Sequence, residues 1–352
     1  MKFPVSIGKY GLVWGLIVLV VVFAALRPES FATTKNAGSI LSDSAVLSLI
    51  ALGIMVPLIV GHFDLSPGFV ASLSVMLTAG LMSRNEMPWP VVLVTVILVG
   101  AGIGLFMGFL VGYMGLNSLI VSLGTGTVVS GLVLMYSGGE IIFQGIPPAV
   151  LNIGQTRLAG FIPLPFLYAL GAAVIIWFVL AYRPVGRRLY AVGGSPEAAR
   201  LVGIPVARYI MFSFMVSSSM AALAGFVQVA RLGAGHPTSA QSFLLPAFAA
   251  AFLGATSFRP GLYNVWGTFV AVYLLAVGTT GLFMLGAQSY VDPIFNGAVL
   301  LTAVLVASLS ARRKKRILEG RASESASTGG PHSDPPGVGA SVTSEGQAVP
   351  AS

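Results

Sequence analysis

The chain alternates between long apolar runs and short polar segments. A helix of about 20 apolar residues crosses a hydrocarbon core of about 30 Å, so each uncharged run of that length predicts one span. The pattern predicts an all-α, polytopic membrane protein with about ten transmembrane helices within residues 1–311. The expected spans are residues 10–26, 44–63, 65–83, two within 87–139 that separate near 113–117, then 162–182, 209–230, 243–258, 262–286 and 293–311.

The eighth span is the weakest of the ten. From Phe243 to Phe258 it offers about 24 Å of helix at 1.5 Å per residue, and Pro246 interrupts it. Two interpretations stay open at this point. The segment either crosses the membrane fully or only dips into it, and the second case would change the number of crossings.

Composition agrees with a membrane protein, since 56% of the residues are hydrophobic and 9% are charged. That charge content is too low for the surface of a water-soluble globule. The chain has no cysteine, which excludes disulfides, Cys-ligated metals and thiol nucleophiles. The formal net charge of +8 comes largely from basic residues near the ends of apolar runs. This placement is typical of membrane topology, so we expect a lipid bilayer and no nucleic acid as a partner.

Basic residues near the span ends predict the orientation. The loop at 183–208 carries five arginines and one acid, and such loops stay on the cytoplasmic side. An even number of spans then places Lys2, Lys9 and the basic cluster 312–316 on the same side. We expect a protein of the cell membrane with both termini in the cytoplasm. Residues 312–352 are basic and then rich in Ser, Gly and Pro, which predicts a disordered tail.

Signatures of catalysis are missing from the sequence. It contains no His-Glu-x-x-His, no Gly-x-Ser-x-Gly and no phosphate-binding loop that ends in Gly-Lys-Ser/Thr. We therefore expect neither an enzyme nor a cofactor. The fourth span carries glycines at four-residue spacing, Gly100, Gly104, Gly108 and Gly112, which indicates either close helix packing or a glycine-lined passage.

Asp64 is the one acid between two apolar runs. An ionisable group at membrane depth indicates a functional site. A simpler alternative is an exposed turn residue, because Ser66 is placed to cap the next helix and Pro67 fits its first position. The sequence leaves both alternatives open.

The loop at 183–208 contains the pattern of a short capped helix. Ser195 can act as the N-cap, Pro196 fits the first helical position, and Gly203 is a natural stop. A short, well-formed helix outside the membrane is expected to dock on another protein. A helix that lies on the membrane surface is the alternative.

Three stretches make the chain resemble the permease subunits of ATP-binding-cassette importers for ribose, xylose, galactosides and similar sugars, within the branched-chain amino acid/ribose-type permease family. Residues 61–68 are similar to Gly-Gly-Ile-Asp-Leu-Ser-Val-Gly, and residues 117–125 to Pro-Ser-Phe-Ile-Ala-Thr-Leu-Gly-Thr. Residues 186–204 resemble Gly-Arg-x-x-Tyr-Ala-Val-Gly-Gly-Asn-x-x-Ala-Ala-Arg-x-x-Gly-Ile. This last match is the densest of the three.

Departures from the family pattern lie mostly late in the chain. The chain reads Arg-Pro-Gly-Leu-Tyr at 259–263, where the family has Gly-Gly-x-Gly, and Thr280-Gly281 replaces the usual Asn-Gly. Ser195 occupies a position that is usually Asn. The late departures lie near the expected passage, so they bear on which solute is carried.

The resemblance implies a ten-helix permease that pairs with a second permease copy, a cytoplasmic ATP-binding-cassette ATPase and an extracytoplasmic solute-binding protein. It also implies sites for two tasks. The ATPase-coupling residues would be Arg187, Gly193, Gly194, Ser195, Glu197, Ala198, Ala199, Arg200 and Gly203, and the substrate path would include Asp64, Ser66, Gly68, Asn117 and Ser118.

The expected function is therefore that of an importer permease for a small polar solute, a monosaccharide or a related compound, energised by a separate ATPase. The alternative is a secondary transporter driven by an ion gradient. That class normally carries ionisable groups at mid-membrane, and Asp64 is the one candidate that the spans of this sequence offer.

Overall fold

Apolar helices make up most of the computed structural model, which describes residues 10–305. Lys2, Lys9, the basic cluster at 312–316 and the predicted tail lie outside the described residues. Within residues 10–305 the helices are α1 (Gly11–Leu26), α2 (Thr34–Ile59), α3 (Pro67–Ser83), α4 (Trp89–Gly112), α5 (Ser118–Ser137), α6 (Pro148–Gln155), α7 (Leu164–Tyr182), α8 (Pro184–Gly194), α9 (Pro196–Leu201), α10 (Val206–Leu232), α11 (Leu244–Gly254), α12 (Val265–Met284) and α13 (Val291–Leu305).

The prediction of an all-α polytopic protein is confirmed. Six helices, α2, α4, α5, α7, α10 and α12, are long and apolar enough to span a membrane, and four apolar helices are shorter. Their positions follow the ten predicted runs, while the number of crossings stays a prediction. A two-residue hairpin pairs β1 (Arg157–Leu158) with β2 (Ile162–Pro163).

Two predicted boundaries were wrong for a local reason. Helix α2 begins at Thr34 and not near residue 44, because Thr33 caps it and accepts a hydrogen bond from Asn36 N at 3.1 Å. Helix α10 extends to Leu232 and includes Arg231, which pairs with Asp43 of α2 at 2.7 Å. Arg231 in the last turn of α10 and Asp43 within α2 neutralise each other, so charge-free runs underestimated the length of both helices.

Helices α2 and α10 run antiparallel through the centre of the bundle. The Asp43–Arg231 ion pair joins them near one end, and the rings of His62 and Phe214 lie 6.4 Å apart toward the other. Between these points a methyl group on Gly53 would lie 3.0 Å from Ser217 O. Most of the α2 span is buried by its neighbours, so this pair forms the core around which the other helices pack.

The glycines of α4 serve helix packing. A methyl group at Gly100 would lie 2.7 Å from Ser218 O, and one at Gly112 would lie 2.7 Å from Ala207 O, both on α10. Gly104 and Gly108 approach the α10 backbone as closely. Small residues let two helix backbones come together in lipid, and the passage interpretation loses its support because α10 fills the glycine face.

We call the end of the bundle that carries α8 and α9 the loop end, and the other the opposite end. Helices α3 and α11 are short because segments without α-helix, residues 60–66 and 233–243, precede them, the second ending in a 3-10 helix, Gln241–Phe243. The two helices begin side by side, since a methyl group on Gly68 would lie 3.2 Å from Leu244 Cβ. Residues 60–66 therefore enter the bundle from the loop end, and residues 233–243 enter it from the opposite end.

The eighth predicted span runs from one end of the bundle toward the other. It follows Leu232, at the opposite end, and after α11 the Phe258 ring lies 5.6 Å from Tyr10 at the start of α1. Tyr263 O accepts a hydrogen bond from the Tyr190 hydroxyl of α8 at 2.7 Å. Helix α11 covers only part of this path, because residues 233–243 before it are not α-helical.

Candidate functional site

The predicted helix of the 183–208 loop is present as α9. Ser195 Oγ accepts a hydrogen bond from Ala198 N at 3.2 Å, and Pro196 is the first helical residue. The helix ends at Leu201, and Gly203 has a φ of +78°, a backbone conformation that glycine adopts without strain. The local sequence therefore accounts for the start and the stop of this helix.

The exposed face of α9 carries most of the coupling residues that were predicted on this helix. Glu197, Ala198 and Arg200 are exposed as expected, but Ala199 is only 3% exposed and packs into the bundle. The helix turns Ala199 inward, so it contacts the bundle and not solvent, and its predicted coupling role stays a prediction. The apolar side chains that reach solvent are Leu201 and Val202, which are 89% and 76% exposed.

Helix α8 fixes α9 to the bundle and was not predicted. Leu189 and Val192 are buried on its inner face. Gly193 lies against Ile59 O at the end of α2, where a side chain could not fit, whereas Gly194 and Arg187 face outward. A movement of α8 would therefore press directly on the end of α2. The apolar spacing of Val185, Leu189 and Val192 is the sequence signal for this helix.

Tyr190 forms a second connection between α8 and the bundle. Its hydroxyl donates to Tyr263 O in the segment that joins α11 to α12. Burial raises the pKa of the Tyr190 phenol, and the Arg259 guanidinium partly offsets this. Burial also raises the pKa of Tyr263 to about 12. Both phenols are therefore neutral at physiological pH, and the Tyr190 hydroxyl keeps the proton that it donates.

Asp64 lies in the 60–66 segment and is completely buried, so it is not an exposed turn residue. Its Oδ1 accepts hydrogen bonds from Ser66 N at 3.0 Å and from Ser66 Oγ at 2.7 Å. Ser66 stands at the N-cap position of α3, but its side chain does not cap the helix. The expected Ser66 cap was wrong because the hydroxyl bonds to Asp64 instead. The second carboxylate oxygen has no hydrogen-bond partner within residues 10–305.

The other predicted path residues occupy two different environments. Ser118 Oγ accepts a hydrogen bond from Phe63 N at 3.3 Å, which ties the start of α5 to the 60–66 segment. Gly68 packs on the start of α11. Asn117 is exposed and caps α5 by accepting from Leu119 N at 2.9 Å. Asp64, Ser66, Gly68 and Ser118 thus lie in or beside one break, and their role in a substrate path stays a prediction.

An aromatic cluster at the loop end was also not predicted. The Phe63 ring lies 6.4 Å from Phe248 and 6.2 Å from Phe252 of α11, and Phe252 lies 5.8 Å from Tyr263. A cavity of about 390 Å³ lies beside this cluster and is lined by Phe63, Tyr190, Tyr263 and the glycines at the end of α8. Phe63 occupies a position that is Ile in the family motif. This aromatic residue in place of an aliphatic one is the sequence feature that could have indicated the cluster.

No group of three or more His, Asp or Glu side chains in the described part of the chain could hold a metal ion. The described residues thus form an exposed surface on α9, direct contacts from α8 to the bundle and a buried break between α2 and α3.

Comparisons with known proteins agree with this description. The family model for the branched-chain amino acid transport system / permease component matches residues 36–307. The D-allose transport system permease protein AlsC of Escherichia coli (strain K12) is 34% identical over 296 residues, which cover 84% of this chain and 90% of that protein. The ribose import permease protein RbsC of Bacillus subtilis (strain 168) is 34% identical over 303 residues, covering 85% and 92%.

A galactose/methyl galactoside import permease protein, MglC of Haemophilus influenzae (strain ATCC 51907 / DSM 11121 / KW20 / Rd), is 29% identical over 320 residues, covering 85% of this chain and 94% of that protein. No solved structure matches the chain. The similarity to these permeases extends over most of the membrane bundle.

Proposed function

Because this chain belongs to the family of branched-chain amino acid transport system permease components, we propose that it is the membrane-spanning subunit of an ATP-binding-cassette importer for a monosaccharide or related polar solute. The chain is a multi-pass protein of the plasma membrane and a permease, not an enzyme. The solute class rests on the relatives, which are permeases for D-allose, ribose and galactosides.

The main support for a coupling role is the exposed apolar pair Leu201–Val202 at the end of α9, which is anchored to the bundle. Two apolar side chains with 89% and 76% exposure on a basic loop are costly in water. They are well suited to an apolar pocket on a partner, because binding there would remove their surface from water. The partner in this proposal is a cytoplasmic ATP-binding-cassette ATPase, which hydrolyses the ATP.

The path from this surface into the bundle is short. A displacement of α9 moves α8, because Ser195 alone separates the two helices. Gly193 then transmits the displacement to Ile59 of α2, and Tyr190 transmits it to Tyr263. Both contacts lie beside the segments that lead to Asp64 and to the aromatic cluster. Packed helices shift as rigid bodies in such transitions.

The rest of the importer is also part of the proposal. An extracytoplasmic solute-binding protein delivers the solute to the opposite end, and a second permease copy completes the path. Both termini lie in the cytoplasm, because the α8–α9 surface must face the ATPase.

The coupling role can be tested with Leu201→Glu in the complete importer. The charge cannot enter an apolar pocket, so we expect ATPase recovery on the purified permease to fall about tenfold or more, with solute uptake lost. Leu158→Glu is the matched control, because Leu158 is an exposed leucine in β1 at the opposite end. ATPase recovery should not change in the control. Ion-gradient-driven uptake by the permease without any ATPase would contradict the proposal and favour a secondary transporter.

The orientation can be tested separately, because the chain has no cysteine. Ser195→Cys and Gln144→Cys each introduce one exposed thiol, at the loop end and between α5 and α6 respectively. A membrane-impermeant thiol reagent should label Ser195→Cys only from the cytoplasmic side and Gln144→Cys only from outside. Labelling of both from one side would overturn the proposed topology.

A further inference from the structure

A polar cavity of about 330 Å³ lies at the opposite end of the bundle, between α2, the 3-10 helix Gln241–Phe243, α12 and α13. It is remote from the α8–α9 surface. Its polar lining comes from three helices and includes Asp43, Ser44, Thr280, Asp292 and Asn296. Its volume is in the range of small-molecule binding sites.

Several of these polar groups lack protein partners. Ser44 is only 3% exposed, yet its hydroxyl makes no hydrogen bond to any described residue. Asn296 is 7% exposed, and its amide nitrogen donates to Asp292 O at 3.0 Å and to Asp292 Oδ1 at 2.9 Å. The Asn296 amide oxygen and the half-buried Thr280 hydroxyl also make no hydrogen bond to residues 10–305. These groups open onto the cavity, so a hydrogen-bonding occupant can pair with them.

The charge of the lining restricts that occupant. Asp43 is neutralised by Arg231 at 2.7 Å. Asp292 has no ion-pair partner in the described part of the chain, so one carboxylate in the cavity is uncompensated. A carboxylate accepts hydrogen bonds from hydroxyl groups and repels anions. The apolar walls, which include Phe243 and Phe283, can contact the C–H face of a ring.

We propose that this cavity is a binding subsite for a neutral polyhydroxylated solute, in which Ser44, Thr280, Asp292 and Asn296 contact the solute hydroxyls. The subsite lies within a single copy of the chain and rests on the proposed function. It holds the solute at the end of the bundle where the solute arrives. Thr280 stands where the resemblance expects Asn, so this position contributes to the choice of solute.

The test measures binding of D-ribose, D-allose and D-galactose to the purified full-length permease by saturation-transfer NMR. At least one of the three should bind saturably, and D-ribose 5-phosphate should not bind. Thr280→Val should weaken the binding about tenfold, as expected for a lost hydrogen bond to a ligand. Asp292→Asn should weaken it by a similar factor, because it replaces charge-assisted hydrogen bonds with neutral ones that are about half as strong. Ser44→Ala provides a third variant if Asp292→Asn fails to fold. Thr95→Val is the matched control, because that hydroxyl is exposed and bonds to Val91 O within α4.

Uptake by the complete importer is measured with the same preparations. Wild-type uptake without saturable binding of any of the three sugars would overturn the subsite and leave the proposed function standing. Unchanged binding in Thr280→Val, Asp292→Asn and Ser44→Ala, or equal binding of the phosphorylated sugar, would also overturn the subsite. Saturable binding that all these variants weaken, with no ATP-dependent uptake by the wild type, would support the subsite and count against the importer proposal.

Discussion

The two short helices, α3 and α11, follow segments without α-helix that are stabilised in different ways. In the 60–66 segment a single buried carboxylate, Asp64, receives both the backbone and the side-chain hydrogen bond of Ser66. In the 233–243 segment the backbone provides most of the bonds. Gly235 exchanges two hydrogen bonds with Ile142, at 2.7 and 2.9 Å, and Gln241 N donates to Thr238 O at 3.2 Å.

The difference follows from what surrounds each segment. Asp64 and Ser66 are completely buried, and backbone groups without water must find partners inside the protein. The 233–243 segment carries exposed side chains such as His236 and Thr238. Water can therefore hydrogen-bond to the backbone groups that the turns leave unpaired. The buried part of the first break, at Asp64 and Ser66, therefore depends on one side chain, whereas the second break depends on several weaker bonds.

The largest effect is expected for Asp64→Ala. Ser66 N and Ser66 Oγ would lose their acceptor in a buried site, at about 1–3 kcal/mol for each group left unpaired. Uptake should be lost, and the thermal midpoint of the purified permease should fall. Both are measured at matched membrane levels, by solute uptake and by fluorescence-detected size-exclusion chromatography after heating.

Asp64→Asn is the control for this change, because its Oδ1 can still accept both hydrogen bonds. We expect Asn to retain most of the uptake. Loss of uptake in Asn with normal stability would instead show that the charge itself is needed. Normal uptake in the alanine variant would remove the proposed difference between the two breaks.

A smaller effect is expected for Gly235→Ala in the second break. The added methyl group would lie 2.5 Å from Ala79 Cβ of α3, so the segment must move away from α3. Overpacking of this kind costs about 1–3 kcal/mol. The thermal midpoint should fall, and uptake should decrease without being lost. A thermal midpoint equal to that of the wild type would show that the segment can move away from α3 without a loss of stability.

The smallest effect is expected for Ser239→Ala. Its hydroxyl donates to His236 O at 3.1 Å in a turn whose backbone also donates there, from Ser239 N at 3.3 Å. Stability should stay within about 0.5 kcal/mol of wild type. A loss as large as that of Asp64→Ala, in the same thermal assay, would mean that the second break also depends on one side chain.

The coupling surface shows where sequence reasoning succeeded and where it failed. The Ser195 cap, Pro196 and Gly203 act over three or four residues, so their pattern predicted α9 correctly. The inward position of Ala199 depends on how α9 rests against the bundle. No local pattern reports that contact, and the exposed pair Leu201–Val202 was missed for the same reason.

The sequence by itself determined the all-α class, the positions of the apolar helices and the family, because apolar run length and short motifs are local properties. The tertiary structure alone decided that Asp64 is buried, that the glycines of α4 face α10, and that Ser44, Thr280 and Asn296 share a cavity. These groups are tens to hundreds of positions apart in the chain. Their proximity results from the packing of whole helices against one another. That packing decides how deeply each residue lies in the bundle and which neighbour it faces, and no pattern within a single segment records either.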